Sequence, residues 1–124
     1  MPVIGWKLDR QDREALLGRV RPRWPNVFAD HVTLDAHAKR GDRLPPDVRA
    51  EVVGEADDGK GLQAVVVAID GSTDRPDGSV YHITWSLDRA AGRKPVESNT
   101  LLAQKAWQPI DPPIPIRLTP ARLN

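Results

Sequence analysis

The chain has 124 residues, 40% of them hydrophobic and 28% charged, and its 18 Lys and Arg nearly cancel 17 Asp and Glu to leave a formal charge of +1. These figures predict one globular domain spanning 1–124 and exclude both a disordered chain and the broad basic face of a duplex-DNA binder. Zero cysteines exclude a disulfide framework, a thiolate zinc site and a thiol nucleophile, and twelve prolines argue against a helix bundle.

The opening Met1-Pro2-Val3-Ile4-Gly5-Trp6-Lys7 has no basic stretch followed by an apolar one, so no signal peptide is expected. No apolar run approaches the roughly 18 residues of a membrane-spanning helix. The expected compartment is the cytoplasm, with no membrane partner. Val3 to Leu8 reads as a short strand. Asp9 stands at an N-cap position before a helix over about 10–20, where Ala15, Leu16, Leu17 and Val20 make an apolar stripe. Pro22 and Pro25 punctuate a loop, and Val27 to Ala36 reads as one continuous strand.

After a polar loop from Lys39 to Pro46, Val48 to Ala56 and Leu62 to Asp70 read as strands joined by Asp57-Asp58-Gly59-Lys60-Gly61. That link is a hairpin signal in which glycine supplies positive φ. The second arm is continuously apolar, as expected of a central strand covered on both faces. Val80 to Leu87 is another strand, and Glu97 to Ala106 a short helix capped by Ser98 or Asn99. Pro109 to Pro120 is too rich in proline for an interior strand and reads as an edge strand or strap. The order β-α-β-β-β-β-α-β predicts a compact α+β fold with a mostly antiparallel sheet and one or two helices.

Two segments repeat a pattern. His31-Val32-Thr33-Leu34 and His82-Ile83-Thr84-Trp85 both carry His-x-Thr followed by an apolar residue, in predicted strands. Strand alternation puts His31 and Thr33 on one face and Val32 and Leu34 on the other. The same parity groups His82, Thr84 and Ser86 against Ile83, Trp85 and Leu87. Two such strands side by side would set two imidazoles and two hydroxyls around one pocket. One neutral and one protonated imidazole are the parts of concerted acid–base catalysis near neutral pH. Hydroxyls can donate to the oxygens of a phosphoryl group as charge gathers there.

The paired motifs resemble the 2H phosphoesterase superfamily. His82-Ile83-Thr84 followed by Lys94-Pro95-Val96-Glu97-Ser98-Asn99 is most similar to the cyclic phosphodiesterase domain of fungal and plant-type tRNA ligases. The resemblance covers about residues 29 to 102. It implies a 2H phosphoesterase-like cleft with His31, Thr33, His82 and Thr84 as catalytic residues. It further implies hydrolysis of 2′,3′-cyclic phosphate ends of RNA or of small cyclic nucleotides, with no metal or other cofactor. In such a scheme His82 activates water and His31 protonates the leaving ribose oxygen.

Other residues have plainer readings beside the functional one. Ser86 is either a phosphate or ribose contact or an ordinary exposed serine, and parity assigns Trp85 to the core. Ser98 and Asn99 are helix caps that would also hold an anion if that helix starts at the cleft. His37 lies about 20 Å beyond His31 along an extended strand, too far for a metal pair, and Asp35 about 13 Å away does not orient His31. Arg21, Arg23, Trp24, Lys39, Arg40 and Arg43 are solvated loop residues or RNA-phosphate contacts. Two rivals remain: a non-catalytic module that binds RNA ends or nucleotides in the same cleft, and a structural protein whose two motifs lie far apart.

Overall fold

The computed structural model describes residues 2–104 and 107–124. In chain order it contains β1 (Ile4–Leu8), α1 (Arg10–Arg19), β2 (Asn26–Val27), β3 (His31–Asp35), β4 (Ala50–Asp57) and β5 (Leu62–Ile69). There follow β6 (His82–Leu87), a 3-10 turn at Arg89–Ala91, α2 (Glu97–Gln104), β7 (Gln108–Ile116) and β8 (Leu118–Arg122). Every strand pair is antiparallel, in a three-stranded sheet ordered β3-β1-β8 and a five-stranded sheet ordered β2-β6-β5-β4-β7. The fold is α+β and mostly sheet.

Strand β5 is buried along its whole length, because both of its faces are covered. On one face Val65, Val67 and Ile69, with Ile83 and Trp85 beside them, pack against Trp6, Leu8 and Val32 of the smaller sheet and Leu16 and Val20 at α1. On the other, Leu62, Ala64 and Val66 lie under Leu101 and Leu102 of α2. Trp6 and Trp85 anchor the first layer, and each indole N–H finds a carbonyl: Trp6 at Pro46 (2.9 Å) and Trp85 at Val20 (2.8 Å). Truncating either to alanine is expected to cost about 3–5 kcal/mol. The β4–β5 hairpin turns on Gly59 and Gly61, whose φ values of +67° and +105° only glycine adopts freely.

Four local expectations are corrected. Helix α1 starts from Asp9, whose carboxylate accepts from the Asp12 amide at 3.0 Å, but Ala15 faces solvent. At 3.6 residues per turn Leu16 and Val20 share the inner face, and Ala15 lies a large step away from it. The strand expected over 27–36 is broken in two, because the chain leaves the larger sheet after β2 and joins the smaller one as β3. Ala29, at φ +48°, makes the break. The proline-rich C-terminal stretch takes the expected edge position, where missing amide donors cost least, but as two strands in two sheets instead of one.

The fourth correction concerns parity in β6. Gln63 pairs with Ser86 and Ala64 with Thr84, so one step along β5 spans two along β6 and Trp85 is the extra residue of a β-bulge. The bulge reverses which face the following side chains take. Ser86 therefore lies opposite Thr84, and Leu87 joins the layer under α2 rather than that of Trp85.

Candidate active site

The route of 26–31 brings the two motifs together. Phe28 and Ala29 donate their amides to the carbonyls of Trp85 (2.9 Å) and Thr84 (3.0 Å), after which Leu8 donates to the Asp30 carbonyl (2.9 Å). One short segment thus runs beside β6 and then enters β3 beside β1. Arg13 of α1 holds the crossing point, reaching the carbonyls of Ala29 (2.9 Å) and Phe28 (3.1 Å). Gly5 lets β3 sit close to β1, since a Cβ there would stand 2.1 Å from the Val32 carbonyl oxygen.

On β3, Val32 points into the core, and His31 and Thr33 point away from it. His31 is 38% exposed, and its Nδ1 lies 3.0 Å from a carboxylate oxygen of Asp30. A carboxylate only accepts, so Nδ1 carries the proton and Nε2 is the nitrogen left to exchange one. Asp30 is itself gripped by Lys7 (2.7 Å) and Arg10 (3.3 Å). Partial burial opposes its ionisation, but the hydrogen bonds from Lys7 and His31 prevail and draw the carboxyl down to about 2. The Thr33 hydroxyl has no hydrogen-bond partner among the described residues.

On β6 the surroundings are different. His82 is only 9% exposed and donates Nδ1–H to the Val80 carbonyl at 2.8 Å, which again leaves Nε2 as the exchanging nitrogen. Burial pushes this imidazole below its ordinary 6.5; the Val80 bond opposes that shift, and the positive Arg75 and His31 add to it. His82 is therefore neutral at pH 7. Thr84 Oγ1 lies 2.9 Å from Ser98 Oγ and 3.4 Å from the Pro95 carbonyl, which ties β6 to the start of α2.

The four side chains line a single cleft of about 220 Å³, together with Arg75, Pro95, Val96 and Asn99. That is below the roughly 300–1,000 Å³ of pockets that enclose a whole drug-sized ligand. No family model, curated protein or solved structure matches this chain. A roomier hollow, about 350 Å³, lies elsewhere on the larger sheet, walled by Glu55, Asp57 and Asp58 with Arg23. It holds neither imidazole nor hydroxyl.

The remaining expected residues fall on both sides of the ledger. Ser86 is wholly buried, donates to Gln63 Oε1 (2.7 Å) and accepts from the Trp24 amide (3.2 Å), so it is neither a cleft contact nor an exposed serine. Ser98 and Asn99 are inside the first turn of α2 instead of capping it. Glu97 reaches back to the Lys94 amide at 2.7 Å, so the turn begins at Lys94, with Pro95 at a position that tolerates a missing amide proton. Ser98 is buried against Thr84, and Asn99 lines the cleft. Lys105 and Ala106, the expected end of that helix, lie outside the described residues. Arg23 and Trp24 are engaged by Glu55 and Asp57 on β4, away from the cleft. Among the described residues no three His, Asp or Glu side chains cluster as metal ligands, and no helix is long and apolar enough to cross a membrane.

Two residues of the site were missed in the sequence. Asp30 precedes His31, and adjacent residues of a regular strand point to opposite faces, so it draws no notice until Ala29 breaks the strand. Arg75 sits in a turn-rich loop with no motif around it. The only signal was that Asp77 follows it two residues later, inside a loop that returns to the second motif.

Proposed function

We propose that this cleft hydrolyses phosphodiesters, with 2′,3′-cyclic phosphate ends of RNA or small cyclic nucleotides as substrates, by two-histidine acid–base catalysis without a metal. The observation that carries the reading is a pair of imidazoles in one small cleft, each held at Nδ1 by an acceptor, with two threonines lining the same cleft. Neutral His82 accepts a proton at Nε2 from the attacking water as its oxygen bonds to phosphorus. His31 delivers a proton from Nε2 to the ribose oxygen as the P–O bond breaks, leaving a phosphomonoester and a free hydroxyl. Ionised Asp30 offsets the charge that His31 carries while it holds that proton. Thr33 and Thr84 donate to the non-bridging oxygens, where charge gathers in the transition state. The same arrangement is the one the resemblance to 2H phosphoesterases implies.

Incubation in EDTA with 2′,3′-cyclic AMP and with a short RNA ending in a cyclic phosphate tests this directly, alongside His31→Ala and His82→Ala. Turnover by the wild type, lost in both variants, is the expected result. No turnover on any cyclic phosphate, with binding that survives His82→Ala, would replace the enzyme by a module that binds RNA ends or nucleotides.

A further inference from the structure

Arg75 is a charged cleft residue that the acid–base scheme leaves without a task. Its side chain is only 7% exposed, and burying a guanidinium is costly unless its charge is met. The charge is met by one carboxylate, rigidly and along a single edge. Asp77 accepts from Nε at 3.1 Å and from Nη2 at 2.9 Å, and Nη2 also reaches Asn99 Oδ1 at 3.4 Å. Asp77 is in turn fixed by the amide and hydroxyl of Ser79. Nη1 makes no hydrogen bond to any described residue. A guanidinium clamped along one edge therefore keeps two donors to spare. The cleft it lines contains imidazoles, hydroxyls and an amide, and no carboxylate. Asp30 and Asp77 are engaged by His31 and Arg75 and do not line the hollow, so the spare donors of a fixed cation meet an anion with several acceptor oxygens there.

We propose that Arg75 is the phosphate-binding cation of this cleft, donating through Nη1 to a non-bridging oxygen, with Asp77 and Asn99 as positioning residues that aim it. The proposal rests on reading the cleft as a phosphate site; it does not require turnover. It also deepens that reading. Coulomb attraction scales with charge, so the phosphomonoester product, near −2 at neutral pH, is held more tightly than the singly charged diester. Inorganic phosphate and nucleoside 2′- or 3′-monophosphates are then ligands, and inhibitors of any turnover.

Calorimetric titration with inorganic phosphate and with 2′-AMP, at pH 7, measures this, while NMR follows the ring signals of His31 and His82. Wild type is expected to bind both ligands with shifts at both rings. Arg75→Gln should weaken binding on the order of 10-fold or more, the loss of a charge-assisted hydrogen bond, and Arg75→Lys should weaken it less. Arg75→Lys keeps the charge but loses the fixed fork, and about 3-fold weaker binding is expected; this variant decides the matter if Arg75→Gln does not fold. Phosphate that leaves both rings unmoved, or that binds Arg75→Gln and Arg75→Lys as well as wild type, overturns the proposal. An inactive protein whose phosphate binding depends on Arg75 would keep this inference and sink the hydrolase. An active one indifferent to Arg75 would do the opposite.

Discussion

Strands β3 and β6 carry the same three-residue motif, yet they make two different histidines. His31 stands at the point where the chain changes sheets, more than a third exposed, its Nδ1 on a side-chain carboxylate that Lys7 and Arg10 also hold. His82 is sunk against the larger sheet, its Nδ1 on a backbone carbonyl, its charge discouraged by burial. One imidazole has an ionic support ready for a proton, and the other is held neutral by lack of water. The motif supplies the ring; the sheet behind it supplies the role. The two threonines divide in the same way, with Thr33 unengaged among the described residues and Thr84 tied to Ser98.

The largest way to test this contrast is to remove each ring in turn. His31→Ala and His82→Ala should each lower kcat by about 10²–10⁴-fold, the span of acid–base contributions, in steady-state assays on a cyclic phosphate. Equal loss in both, with unchanged folding by circular dichroism, would mark them as partners in one step. Asp30→Asn attacks the ionic half alone. Losing a charge-assisted bond of about 1.5–3 kcal/mol predicts a fall in kcat of about 10–100-fold. The counterpart on β6 is a main-chain carbonyl that no side-chain substitution removes. Asp30→Asn also alters acid stability. The wild-type contribution is whole above about 3.8 and is lost as pH falls towards 2, so thermal melts of the variant should be flatter across that range.

How much of this was legible in the sequence depends on how local the cause is. The β4–β5 hairpin, α1 from its Asp9 cap, and the buried run of β5 follow from turn chemistry, capping and continuous apolarity. The facing of His31 against Val32, and of His82 against Ile83, follows from alternation. The bulge at Trp85 does not, because it answers a mismatch between neighbouring strands that no single strand records. Ser86 was misplaced for that reason. Ala29 was equally silent, since nothing in Phe28-Ala29-Asp30 announces a positive φ, and with it went Asp30. Arg75 reaches the cleft from a loop distant in sequence from His31, and only the folded chain shows the two together.

A smaller effect sharpens the placement of β3. Gly5→Ala would push a methyl into the Val32 carbonyl, and the strain is expected to cost about 1–3 kcal/mol in chemical denaturation. Turnover should fall further than the residual folded fraction explains, because the displaced strand carries His31. Smaller again is Ser98→Ala, which releases Thr84 and should change KM or kcat by only about 2–5-fold, in line with one neutral hydrogen bond. The slightest effect is on pH. With its folded value lowered, His82 binds fewer protons than in the unfolded chain just below 6.5. Its contribution to stability is therefore full above that pH and declines as pH falls towards the folded value. Denaturation midpoints of His82→Gln should lack that decline, and the acid limb of wild-type kcat/KM should lie below 6.5.

The strand β7 has one more consequence. Pro109, Pro112, Pro113 and Pro115 stand at an outer margin of the larger sheet, where each proline is a missing amide donor. At the opposite margin β2 is only two residues long before the chain departs. One border is short of donors and the other short of length, so neither offers an arriving strand a row of groups to zip onto. Both margins of the larger sheet are thus blunted against edge-to-edge pairing with another copy of the chain, by proline on one side and by brevity on the other.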